Sequence, residues 1–249
     1  MKKRSKAIAA LLALTVSMTA CLTGCGRTNT DTNADASEKT ELVVFAAASM
    51  TETLNQIKTD YEAQHKDITL TYNFDSSGTL KTQIQEGATC DVFISAAQKQ
   101  MDQLADDDGL VVDGTRYNVV NNQVCVVTYK GSNTKVTGLA DIGKASGFAL
   151  ADGSVPVGKY TRQALVNAGM LEGADDVSTI TTDEVSKALG GVEINECANV
   201  GAVTSAVAEE SNEVGTVYYS DTYGLEDKLD ILEVVPYDLT GDVIYPIAE

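Results

Sequence analysis

Four short segments of the sequence place small residues and hydroxyl groups where a strand-like run gives way to a helical one. They are segments 45–49, 74–80, 155–160 and 199–201. A helix N-terminus presents N–H groups that have no intrahelical partner, together with the positive end of the helix dipole. Several such termini at strand ends predict a site for a small anion that needs no cationic side chain. A serine at a helix start is most often a simple N-cap, so one such segment alone would indicate little.

The net charge of the chain is compatible with an anion site only if the binding contacts are local. The sequence has 18 basic and 36 acidic residues, and its first 24 residues hold four of the basic residues and none of the acidic ones. Without those 24 residues the formal charge is 14 − 36 = −22. Such acidity argues against a nucleic-acid partner, which needs a basic surface. Helix dipoles in contact with an anion affect its binding energy more than distant surface charges do, because salt screens the distant charges.

The histidine and cysteine content argues against an enzyme or a metal site. His65 is the one histidine, and it lies outside both serine turns, so neither serine has an evident base to activate it. Cys90, Cys125 and Cys197 are odd in number and their spacing matches no metal motif. We therefore predict small buried residues at Cys90 and Cys125, and no catalytic residue, cofactor or protein ligand to a metal.

The elements that would position these turns alternate between strand and helix. Strands are predicted at 41–47, 68–74, 91–95, 123–129, 147–151, 214–219, 231–235 and 243–247. The intervening helical patterns and short connections predict an α/β fold with mostly parallel sheets covered by helices. Ser49 and Glu52 have the spacing of a capping box. No element is predicted between residues 175 and 197, where two glycines interrupt the pattern.

The N-terminal residues predict export and a lipid anchor. A basic stretch, a short apolar run and the sequence Leu-Thr-Gly-Cys ending at Cys25 have the order of a lipoprotein signal peptide over residues 1–24. The alternative is ordinary cleavage after a small residue, with Cys25 incidental. Residues 25–39 lack large apolar side chains after the cysteine and predict a flexible tether. The expected location is outside the cytoplasm, attached to the membrane through Cys25.

Longer motifs around the same turns carry a family resemblance over residues 41–249. They read VFAAASMTE, FDSSGTLKTQIQEGATCDVFISA, DGSVPVGKYTRQAL and VGTVYYSDT. In order and spacing the chain resembles the molybdate-binding family of periplasmic-type solute-binding proteins. The resemblance implies a two-lobed type II binding-protein fold with the ligand in the cleft. The expected lobes are residues 40–121 with 225–249, and residues 122–224.

The resemblance also implies a set of neutral donors for the anion. Ser49 and Ser77 would each offer a hydroxyl and a backbone N–H, Val157 and Val200 a backbone N–H, and Tyr218 its phenolic hydroxyl. Val185 is the alternative to Val200, because the pattern before Gly215 leaves the fourth helix ambiguous. A site made of donors suits a fully ionised oxyanion, whereas hydrogen phosphate carries a proton that needs an acceptor.

The function that the resemblance implies is capture of molybdate or tungstate, and we expect a monomer. The closed protein would deliver the anion to the permease and ATPase of an ABC importer. Two alternatives remain open from the sequence: the same role with sulfate or another tetrahedral oxyanion, and a lipoprotein that senses the anion.

Overall fold

The computed structural model describes residues 39–249. The strands are β1 (Thr40–Ala47), β2 (Ile68–Asp75), β3 (Val92–Ile94), β4 (Tyr117–Asn122), β5 (Val124–Tyr129), β6 (Phe148–Ala151), β7 (Ile194–Cys197), β8 (Val214–Tyr218), β9 (Leu229–Val234) and β10 (Val243–Ala248). The α-helices are α1 (Thr51–Gln64), α2 (Ser77–Gln85), α3 (Gln98–Asp102), α4 (Pro156–Asn167), α5 (Thr182–Ala188), α6 (Val200–Ala208) and α7 (Tyr237–Thr240). Cys25, the signal peptide and nearly all of the predicted tether lie outside the described residues. Within residues 39–249, none of the helices is long and apolar enough to cross a membrane.

Ten strands of the described residues form two sheets built on one plan. The first sheet has the order β2-β1-β3-β10-β4 and the second the order β7-β6-β8-β5-β9. β1 pairs in parallel with β2 and β3, and β10 pairs antiparallel with β3 and β4. In the second sheet β6 is the parallel partner of β7 and β8, and β5 runs antiparallel to β8 and β9. Four of the five strands in each sheet therefore point the same way, as the alternating pattern predicted.

The chain passes from the first sheet to the second at Gln123, between β4 and β5. It returns only with β10, because β9 pairs with β5 along residues 229–234. α7 also lies with the second sheet, where the Asn167 side chain of α4 donates to the Leu239 carbonyl at 2.8 Å. Residues 39–122 with 243–249 thus form the first lobe, and residues 123–242 the second. The return therefore comes later than the sequence-based boundary at residue 225.

The cores of the two lobes fix the strand ends that carry the candidate site. In the first lobe Val44 and Ala46 pack with Leu54 of α1, whereas Phe45 packs on the other face of the sheet with Leu80 of α2. The second lobe has longer runs of fully buried residues at 124–127 and 148–151, which is typical of strands covered by helices on both faces.

The three cysteines of the described residues are free thiols. Cys125 and Cys197 are buried in the second lobe, and burial raises the pKa of Cys125 to about 12. Cys90 is half-buried against the apolar cluster that contains Phe45. Cys90 and Cys125 thus fit the packing role predicted for them.

Candidate anion-binding site

The Ser49 turn connects β1 to α1 through a short 3-10 segment at residues 48–50. Ser49 is buried, and its hydroxyl lies 2.8 Å from the Tyr245 hydroxyl. The predicted capping box is wrong: α1 begins at Thr51, its N-cap is Met50, and no side chain caps it. The 3-10 segment moves the start of α1 one residue along, so the Ser49 hydroxyl is not used for capping.

Two neighbouring serines have different roles in the turn before α2. Ser76 is the N-cap of α2, and its hydroxyl accepts from the Thr79 N–H at 3.1 Å. Ser77 is then the first helical residue and is only 1% exposed. Its hydroxyl oxygen accepts from the N–H of Ala96, which follows β3, at 2.9 Å. The backbone N–H of Ser77 belongs to the first turn, where no intrahelical acceptor exists.

Val157 lies in the first turn of α4. Pro156 takes the first helical position, where proline is favoured, and no side chain caps this helix. The next residue, Gly158, packs against the end of β6: a Cβ there would lie 2.2 Å from the Asp152 carbonyl oxygen. Glycine therefore permits the close approach that brings the open N–H groups of this turn to the strand end.

The structure separates the two valines between which the sequence left a choice. Val200 is the first residue of α6, and the cap is Asn199, whose side chain accepts from the Ala202 N–H at 2.9 Å. Val185 lies inside α5, and its N–H donates to the Thr181 carbonyl at 3.1 Å. The N–H of Val185 is therefore used within its own helix, whereas that of Val200 has no intrahelical acceptor.

Tyr218 ends β8 and is 1% exposed. Its hydroxyl has no hydrogen-bond partner among the described residues, and a buried polar group without a partner costs about 1–3 kcal/mol. Burial raises the pKa of Tyr218 well above its ordinary value, so the phenol stays protonated. The ring meets that of Tyr245 edge to face, with 5.6 Å between centroids.

The five residues predicted from the sequence line one cavity between the lobes. Its volume is about 10 Å³, far below the roughly 300–1,000 Å³ of organic-ligand pockets. Its lining residues are Ala47, Ala48, Ser49, Asp75, Ser76, Ser77, Ala96, Val155, Pro156, Val157, Val200 and Tyr218. Asp75 is the one charged residue in that lining, and its carboxylate accepts from the Ser76 N–H at 2.7 Å. The cavity thus combines neutral donors from both lobes.

Three residues behind the lining were missed by reasoning from the sequence. Arg162 is fully buried in α4 and donates to the carbonyls of Ile180, Ala151 and Gly158 at 2.7, 2.9 and 3.0 Å. Tyr245 and Asn122 form a hydrogen-bonded chain that reaches Ser49. A charged residue within an apolar helical pattern could have indicated Arg162. No local signal marks Tyr245, because its role depends on contacts between residues distant in sequence.

Residues 42–248 match the family model described as bacterial extracellular solute-binding protein. The chain is 33% identical to the molybdate-binding protein ModA of Haemophilus influenzae over 217 residues, covering 84% of this chain and 77% of that protein. It is 29% identical, over 99% of this chain and 85% of the relative, to YvgL of Bacillus subtilis, whose name describes a candidate ABC transporter substrate-binding lipoprotein.

A solved structure gives the same architecture. The Azotobacter vinelandii periplasmic molybdate-binding protein superposes with a TM-score of 0.66 at 21% identity, covering 83% of this chain and 84% of that one. The fold is therefore that of two-lobed periplasmic binding proteins. From the family match over nearly all of the described residues, this chain belongs to the bacterial extracellular solute-binding proteins.

Proposed function

We propose that the protein captures molybdate or tungstate outside the cytoplasm and delivers it to the permease and ATPase of an ABC importer. As a solute-binding protein it is not an enzyme. The observation that carries the ligand proposal is the convergence of five neutral donor positions, from both lobes, on one small cavity.

The chemistry of the cavity favours a small oxyanion that carries no proton. Ser49, Ser77 and Tyr218 can donate hydroxyl protons, and the helix starts at Val157 and Val200 offer backbone N–H groups. Hydrogen bonds to a charged group each contribute about 1.5–3 kcal/mol. The lining contains one carboxylate, that of Asp75, whose Oδ1 accepts from the Ser76 N–H. Relatives that are named for molybdate, at about a third identity, support molybdate as the first ligand to test.

Contacts between the lobes suggest how the anion is held. The ammonium group of Lys99 in the first lobe lies 2.6 Å from the carboxylate of Asp176 in the second. A Cβ on Gly78 would lie 3.3 Å from the Ser154 carbonyl oxygen of the opposite lobe. In the proposed cycle the anion binds one lobe, and closure then brings the donors of the other lobe onto it.

Titration calorimetry of the purified protein with four anions tests the ligand proposal. We expect tight binding of molybdate and tungstate, weaker binding of sulfate and little binding of phosphate near neutral pH. Sulfate is the informative competitor, because it is also fully ionised and differs mainly in size. Phosphate binding as tight as that of molybdate would contradict the proposal that the anion is held by hydrogen-bond donors.

We also propose that Cys25 is the lipidated residue. Cys25→Ala should release the protein from membranes without changing its affinity for molybdate, because the cavity is built from residues 47–218. Membrane fractions washed with high salt provide the measurement. A variant that stays with washed membranes would contradict the anchor.

A further inference from the structure

A buried chain of hydrogen bonds leads from the crossing between the lobes to Ser49. The backbone N–H of Gln123 donates to Asn122 Oδ1 at 2.9 Å. Because a backbone N–H can only donate, this contact fixes the orientation of the Asn122 amide. Its Nδ2 then faces Tyr245 Oη at 3.1 Å and Ser220 Oγ at 2.9 Å.

The direction of each hydrogen bond in this chain follows from that orientation. The amide NH₂ of Asn122 has no lone pair to offer, so Tyr245 Oη accepts from it. The phenolic proton of Tyr245 is buried and needs an acceptor. Ser49 Oγ lies 2.8 Å away, and the neighbouring Tyr218 hydroxyl forms no hydrogen bond within the described residues. Tyr245 therefore donates to Ser49.

The hydroxyl proton of Ser49 then needs an acceptor other than Tyr245. Its oxygen already accepts from Tyr245, and the residue lines the cavity at the end of β1. Ser77 is in the same position, because its oxygen accepts from the Ala96 N–H. Both serine oxygens thus accept one hydrogen bond from behind, which leaves their own protons free to be donated into the cavity.

We propose that Tyr245, held by Asn122, is a positioning residue that directs the Ser49 hydroxyl proton into the cavity and so helps the site to reject protonated oxyanions. The proposal rests on the proposed function and adds a specificity determinant to it. A serine hydroxyl that could rotate freely would accept the proton of hydrogen phosphate as readily as it donates to molybdate. When Tyr245 engages one of its two lone pairs and its proton points into the cavity, Ser49 is poorly oriented to accept the phosphate proton, and a proton without a partner is costly in a buried site.

The test compares Tyr245→Phe with the wild-type protein by calorimetry, using molybdate, sulfate and hydrogen phosphate as separate probes. We expect molybdate and sulfate affinity to fall about three- to tenfold, as for loss of one oriented hydrogen bond. Phosphate affinity should stay level or rise, so the ratio of molybdate to phosphate affinity falls by at least about three- to tenfold. Tyr160→Phe removes a half-buried tyrosine hydroxyl outside the cavity lining and should leave that ratio unchanged.

A double-mutant cycle distinguishes positioning from a general structural effect. If Tyr245 acts through Ser49, then Tyr245→Phe should not change the affinity ratio any further in a Ser49→Ala background. Asn122→Ala removes the donor that orients Tyr245 while keeping the tyrosine, and it carries the same test if Tyr245→Phe does not fold.

The outcomes separate this proposal from the proposed function. A wild-type protein that binds none of the three anions contradicts the function itself. If the wild type binds molybdate but Tyr245→Phe weakens all three anions equally, the positioning role is overturned. The same holds if the change in ratio persists without the Ser49 hydroxyl.

Discussion

Part of the candidate site consists of backbone N–H groups. The side chains of these residues therefore need no polar group. Val157 and Val200 line the cavity, yet any residue compatible with the first helical turn would offer the same N–H. The sequence could indicate these positions because helix starts have local signals, such as Pro156 and Asn199. It could not distinguish Val200 from Val185 on its own, since both follow a plausible cap.

Val200→Pro tests the backbone role directly. Proline is tolerated at the first helical position but has no N–H to donate. We expect molybdate affinity to fall about ten- to a hundredfold, as for loss of a hydrogen bond to a charged group, with little change in the melting temperature of the ligand-free protein. Val200→Ala keeps the N–H and is the matched control. Equal affinity in the proline and alanine variants would remove Val200 from the site.

Asp221, three residues beyond Tyr218, gives the protein a stability that depends on pH. Its carboxylate accepts from the Tyr218 N–H at 2.8 Å, and burial of the carboxyl group raises its pKa to about 7. An aspartate in the unfolded chain titrates near ~3.9. Between these values the folded protein keeps a proton that the unfolded chain has lost, so stability falls as pH rises.

Asp221→Asn should remove that dependence, because the amide still offers an acceptor to Tyr218 but does not ionise. We expect the melting temperature of the variant, relative to wild type, to rise as the pH is taken from about 4 to about 7, and then to level off. Asp230→Asn, at an exposed ion pair, is the control. Parallel melting curves for wild type and Asp221→Asn across this range would contradict the raised pKa.

At the scale of helices and strands, the elements that the sequence predicted correctly were those with buried apolar runs. The eight strands predicted from apolar runs all occur within about two residues of their predicted ends. β4 was missed because five of its six residues are exposed, so its sequence YNVVNN has no buried run. β7 and α5 were missed where Gly190 and Gly191, both with positive φ, interrupt the pattern. The capping box failed because a 3-10 turn precedes α1, which spacing alone does not reveal.

The Arg162 side chain links three segments of the second lobe through hydrogen bonds. Its guanidinium joins the end of β6 at Ala151, the first turn of α4 at Gly158 and the loop at Ile180. Arg162→Met fills similar space but leaves three carbonyls without that donor, so we expect roughly 3 kcal/mol of lost stability in urea unfolding. Molybdate affinity should fall as well, because the α4 turn that presents Val157 loosens.

Arg116→Met is the matched control for that substitution. Arg116 forms a partly exposed pair with Asp102 at 2.6 Å, and such pairs contribute only about 0–1 kcal/mol. Unfolding curves that shift equally for the two variants would mean that the buried guanidinium has no special role.

At the scale of the whole molecule, the two lobes were expected from a family resemblance rather than from any local pattern. The first crossing lies at Gln123, between β4 and β5. The second crossing was placed too early because β9 is a strand with one fully buried residue, Leu229. Its membership in the second sheet depends on pairing with β5, about a hundred residues earlier in the chain.

The ion pair between Lys99 and Asp176 should slow the release of ligand, because it links the lobes. Both side chains are partly exposed, and such pairs contribute up to about 1 kcal/mol, so Asp176→Asn should speed molybdate dissociation about two- to fivefold. The effect should vanish in high salt. Stopped-flow tyrosine fluorescence can follow release. Asp230→Asn breaks the pair with Lys130 inside the second lobe and should leave the rate unchanged; equal rates for the two variants would contradict a link across the cleft.

The position of β10 has a consequence for the order in which the protein can be assembled during synthesis. β10 is the last of the described strands, yet it lies inside the first sheet, between β3 and β4. The second lobe is contiguous and has all its strands by residue 234, whereas the first lobe waits for residues 243–248. The half of the protein that emerges first from the ribosome is therefore the half that is completed last. Loss of a few C-terminal residues would leave β3 and β4 without the strand that joins them, and Ser49 without Tyr245.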